Sequence, residues 1–106
     1  MTKKLFWTNH SKGKMGFYKL SPGRVRRVLN SPHRLEMGIA PDTIAVMQSV
    51  KGKRPWEIWV LLEETEDQRR VISAWRYPGV TKPGDQLPKE ILSEVYQLRQ
   101  RLKTIE

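Results

Sequence analysis

The chain has 106 residues, 20 Lys and Arg against 11 Asp and Glu, a formal net charge of +9, and no cysteine. That length suits one domain around a single core, and the lack of thiols excludes disulfides, thiolate zinc sites, iron–sulfur clusters and cysteine nucleophiles. No apolar run approaches the ~20 residues that span a bilayer, and no signal-peptide pattern opens the chain, so a cytoplasmic protein without membrane contact is expected.

The charge is unevenly placed. Lys3, Lys4, Lys12, Lys14, Lys19, Arg24, Arg26, Arg27 and Arg34 fall within a stretch that holds no Asp or Glu, and everything after it balances in sign. A single-sign field repels itself, so a segment that keeps one usually faces a polyanion, and nucleic-acid phosphate is the commonest such partner. A generic basic surface or a basic arm would carry the same composition.

Leu5-Phe6-Trp7 is a short apolar run that suits an edge strand. Thr8 or Asn9 then offers a side-chain oxygen to cap a helix running to about Tyr18, which Gly13 and Gly16 each weaken by up to ~1 kcal/mol. Ser21-Pro22 is a cap residue followed by the helical position that tolerates proline, and Val25, Val28 and Leu29 continue at helical spacing until Asn30 and Pro32 stop the helix.

Beyond Arg34 the period changes. Thr43 to Val50 puts Ile44, Val46 and Val50 on one face and Ala45 and Met47 on the other. Trp56 to Leu62 is apolar on both faces and reads as a central strand, and Arg70 to Tyr77 reads as the last strand of an antiparallel meander. Residues 78–88 are rich in Pro and Gly and read as a loop. After Pro88, Ile91, Val95, Leu98, Leu102 and Ile105 predict an amphipathic helix over 89–105, which either packs on the domain's own sheet or forms the seam of a homodimer.

The expectation is therefore an α+β domain spanning 1–106 with its core at about 5–77: two N-terminal helices packed on an antiparallel meander sheet of three to four strands, plus the C-terminal helix.

Few residues suggest chemistry. His10 and Lys14, four apart, share a helix face, and a lysine there can hold phosphate and favour the neutral, base-competent imidazole; such a pair also recurs by chance in helices. Arg24 and Arg27 share a face of the second helix, and Arg24 sits in the first turn, where the dipole favours an acid, which hints at a bound anion. In the last strand Ser73, Trp75 and Tyr77 alternate with Ala74 and Arg76, offering ring faces for base stacking and a planar fork for phosphate, although a tryptophan there also suits a core. His10 and His33 lack a third ligand at any recognisable spacing, and phosphate loops, nucleophile elbows and paired acids are missing, so neither metal nor cofactor is expected.

The run His10-Ser11-Lys12-Gly13-Lys14-Met15 … Leu20-Ser21 … Val25 … Val28-Leu29 … Pro32, followed by a meander ending Val71-Ile72-Ser73-Ala74-Trp75, resembles the small domains related to RelE-type ribonuclease toxins, over about residues 8 to 77. The resemblance implies the fold shared by RelE-like and barnase-like ribonucleases and metal-independent RNA cleavage, with His10 as the first-helix histidine and Lys14 in the place of the family's Arg or Lys. It also implies an antitoxin-like protein partner. On this reading His10, Lys14, Arg76 and Tyr77 are the candidate catalytic set, and Lys12, Lys14, Arg24, Arg27 and Trp75 the candidate RNA contacts. The alternatives are a non-catalytic nucleic-acid-binding module and a protein-interaction module that docks through the C-terminal helix.

Overall fold

The computed structural model describes residues 4–38 and 42–85. Seven elements follow in chain order: β1 (Lys4–Trp7), α1 (Asn9–Tyr18), α2 (Pro22–Asn30), β2 (Arg34–Met37), β3 (Thr43–Val50), β4 (Trp56–Glu64) and β5 (Gln68–Pro78). The strands form one five-stranded sheet in the order β1-β5-β4-β3-β2.

Both helices begin as their cap residues dictate. Thr8 Oγ1 accepts the Ser11 N–H at 3.0 Å and faces the Val71 carbonyl at 2.9 Å, so one hydroxyl caps α1 and ties it to β5. The buried Ser11 hydroxyl donates back to the Thr8 carbonyl at 2.7 Å. α1 closes at Lys19 in the left-handed conformation, φ 56°, where its N–H reaches the last carbonyls of the helix. Ser21 caps α2 through the Arg24 N–H at 3.1 Å, with Pro22 in the first turn.

Burial of Val25, Val28 and Leu29 fixes α2 on the sheet, each side chain contributing ~1.5–3 kcal/mol. With Met15 and Leu20 they pack on Val46, Ile58, Val60, Leu62, Val71 and Ala74, which make up the helix-covered face of the sheet. The opposite face holds a second cluster, Ala45, Met47, Trp59, Leu61 and Trp75. Tyr18 packs against both clusters, which places α1 at the sheet margin along β5.

The expected antiparallel meander of three to four strands is corrected to a mixed sheet of five. β3, β4 and β5 are the antiparallel meander, but β1 joins β5 in parallel, with Leu5 opposite Arg69 and Trp7 opposite Val71. Partners so distant in sequence, joined in parallel, leave no hairpin signal to read. β2 adds the other edge, pairing antiparallel with β3. It escaped notice because its apolar side chains point outward: Leu35 and Met37 are exposed, Met37 by 79%. Gly38 closes this strand where a Cβ would lie 2.7 Å from both Cβ and O of Thr43, so only glycine fits. The C-terminal helix expected over 89–105, and with it the proposed dimer seam, lies outside the described residues.

Candidate nucleic-acid interface

Strand register decides which side chains can act together. Arg76 lies opposite Ile58 and so stands on the helix-covered face; Tyr77 lies opposite Glu57 and Trp75 opposite Trp59, on the other face. Arg76 and Tyr77, both named in the candidate catalytic set, are thus on opposite sides of the sheet. His10 and Lys14 share one flank of α1, while Lys12, about 200° around the helix from His10, takes another. The structure keeps His10 with Lys14 on α1 and puts Tyr77 on the opposite face of the sheet from Arg76.

Trp75 is corrected as an RNA contact. It is 2% exposed and stacks on Trp59 with ring centroids 5.9 Å apart and planes within 4°. A ring covered in this way cannot receive a nucleobase, and its hydrophobic contribution belongs to the core. Arg24 also has a structural account. Its guanidinium donates to Gln48 Oε1 at 3.1 Å, and the buried Gln48 side chain donates in turn to the carbonyls of Arg27 at 3.0 Å and Ser31 at 2.9 Å. The glutamine stands where carbonyls at the end of α2 need donors, so a basic residue early in this helix requires no anion.

Arg34 likewise leaves the basic field. It stacks over Trp59 at 5.1 Å, pairs with Glu36 at 3.1 Å, and donates to Thr81 through its carbonyl at 3.1 Å and hydroxyl at 2.6 Å. The Thr81 hydroxyl passes the chain on to Glu57 Oε1 at 2.7 Å, while Glu57 also accepts from Trp59 Nε1 at 2.9 Å and the Thr81 N–H at 3.0 Å. Gly84 N–H meets Glu36 at 3.0 Å. A buried carboxylate is tolerated when its lone pairs are met in this way, and the network pins residues 79–85 to the second face.

What remains on the helix layer is a set of exposed cations: Lys12, Lys19, Arg26 and Arg27. Arg26 reaches the ring of Trp7 at 5.4 Å, so the basic side of α2 adjoins the start of α1. Lys14 lies 5.8 Å from the Phe17 ring, and Phe17, 74% exposed, meets Tyr18 edge to face at 4.8 Å. Two of the acids around the β4–β5 turn are matched by arginines of the next strand. Glu64 pairs with Arg69 at 3.1 Å and Glu63 with Arg70 at 3.6 Å, within their own hairpin. Among the described residues Lys12, Lys19, Arg26 and Arg27 form no ion pair.

Sequence reasoning missed Trp56, whose ring lies 4.0 Å from the Arg76 guanidinium carbon. The two are diagonal neighbours across β4 and β5, a relation that becomes legible only once the register is known. It missed Gln48 and Glu57 as well: a lone glutamine or glutamate in a strand gives no sign of what it will meet. No helix among the described residues is long and apolar enough to cross a membrane, and no group of three potential metal ligands occurs among them. Compared with protein-family models, curated proteins and solved structures, the chain matches none.

Proposed function

We propose that this chain is an RNA-binding protein of RelE-like toxin type that grips the phosphate backbone through Lys12, Lys19, Arg26 and Arg27 on its helix layer. The observation that carries the reading is the unneutralised field: Glu63 and Glu64 are taken up by Arg70 and Arg69, and the helix cations Lys12, Lys19, Arg26 and Arg27 stay exposed without ion pairs among the described residues. The resemblance around His10 and Lys14 favours RNA over other polyanions. An antitoxin-type protein partner would compete for the same basic surface.

Titration of a labelled single-stranded RNA against salt tests the reading. Each phosphate contacted adds ~0.7 to the slope of log affinity against log salt, so Arg26→Glu and Arg27→Glu flatten the slope by about one contact each. A slope near zero, or one that both variants leave unchanged, removes the reading.

The same preparation decides whether binding leads to cleavage. In the catalytic form His10 takes the proton of a ribose 2′-hydroxyl, the oxygen attacks the adjacent phosphorus with Lys14 nearby to offset the charge, and the leaving 5′-oxygen is protonated, giving a 2′,3′-cyclic phosphate end. End-labelled RNA incubated in chelator is then cut by wild type and cut ~10²–10⁴-fold more slowly by His10→Ala. RNA that is bound and stays intact assigns the chain to the non-catalytic binding class, which the separation of Arg76 from Tyr77 favours.

A further inference from the structure

We infer that Arg76 and Trp56 form a stacking platform for an unpaired nucleobase, placing a single-stranded segment of the ligand at the end of the sheet beside the β3–β4 turn. The inference rests on the RNA-binding reading and specifies which form of nucleic acid the surface takes.

The platform begins with Trp56, whose ring is half-buried against the helix-side core and therefore held in place. The Arg76 guanidinium lies 4.0 Å from the centre of that ring, and Arg76 as a whole is exposed. Stacking on an indole restrains a side chain that would otherwise sample many rotamers, so little ordering entropy is left to lose when a third plane arrives. A guanidinium with one face on an indole presents its other face to a base and its edge donors to phosphate. Among the described residues Arg76 makes no ion pair that would divert it.

The surroundings suit a polynucleotide. The turn leading into Trp56 reads Lys51-Gly52-Lys53-Arg54-Pro55, with all three cations exposed. Its only acidic neighbour in sequence, Glu57, is buried on the opposite face and committed to Thr81 and Trp59. The turn is also continuous with the helix layer. Gln48, bonded to Arg24 and to the end of α2, precedes Lys51 by three residues, ~10 Å along an extended strand. A short single strand can therefore lay its phosphates on α2 and on the turn while one base leaves the stack for Arg76. A duplex keeps its bases paired and offers the platform only its backbone.

The test uses the full chain and Arg76→Lys, which keeps the charge and removes the plane. Binding is measured by anisotropy for a labelled single-stranded RNA, a duplex of the same sequence and an abasic sugar-phosphate oligomer of equal length. Arg76→Lys is expected to weaken the single strand about tenfold, in the range of losing one stacked base, and to leave the duplex and abasic oligomer within about twofold. Trp56→Leu, which removes the support and keeps the arginine, is expected to give the same base-dependent loss. Equal losses on all three ligands would make Arg76 a simple point charge and overturn the inference, as would no loss on any. The two readings fail separately. If Arg27→Glu weakens RNA binding and Arg76→Lys does not, the platform alone falls; if wild type binds none of the ligands, the RNA-binding reading falls and takes the platform with it.

Discussion

The two faces of the sheet treat the same residue type in opposite ways. On the second face Arg34 is enclosed: ring, carboxylate, carbonyl and hydroxyl each take part of its guanidinium, and through Thr81 it joins the buried Glu57. On the helix-covered face Arg26, Arg27 and Arg76 rest on aromatic rings or on nothing and direct their charge outward. Arginines that are equivalent in composition thus divide into those held within the fold's own networks, Arg34 most completely, and several that can meet a ligand. Net charge by itself overstates the binding surface, because each cation absorbed into a network has its field cancelled where it stands.

The comparison is broken most forcefully at Glu57. Glu57→Ala leaves Trp59 Nε1, the Thr81 N–H and the Thr81 hydroxyl without their acceptor in a buried site, where an unmet polar group costs ~1–3 kcal/mol, so a loss of at least ~3 kcal/mol is expected in denaturant unfolding. An unchanged unfolding midpoint would mean that the network does not hold the second face. On the helix face Arg27→Glu should change stability by no more than ~0.5 kcal/mol, as for any exposed site, while flattening the salt dependence of RNA binding. A large stability loss there would move Arg27 to the structural side of the comparison. At Lys19 a gain in stability is expected instead of a loss. Its left-handed backbone strains a residue with a Cβ, so Lys19→Gly should raise stability by up to ~1 kcal/mol while removing one cation from the layer. A drop in melting temperature would show that the Lys19 side chain contributes more than its backbone costs.

Much of the local structure was legible in the residues. Thr8, one of two candidate caps with Asn9, and Ser21 announced their helices because a cap is a local contact between residues three apart. The double-sided apolar run at Trp56 to Leu62 announced the central strand because burial on both faces leaves no polar alternation. The candidate site was legible only in part. His10 and Lys14 could be paired from helix geometry alone. Arg24 has a structural partner that its helix could not announce, because Gln48 lies on a strand that the first turn of α2 gives no reason to expect.

The alternation of Ser73, Trp75 and Tyr77 against Ala74 and Arg76 could also be read directly, since successive strand residues point to opposite faces whatever surrounds them. What would lie over each face could not: Trp75 is buried against Trp59 on the face away from the helices, whereas Arg76, on the helix-covered face, stays exposed beside Trp56. The bulge that skips Ile72 between Leu61 and Leu62 and the parallel docking of β1 on β5 belong to the same class of decision. The sequence by itself determined the helix starts, the central strand and the excess of positive charge, because each depends on neighbours within a few residues. Only the tertiary structure decided the strand partners, the enclosure of Arg34 and the stacking of Arg76 on Trp56, because these depend on long-range contacts whose free energies are counted only when the whole sheet closes.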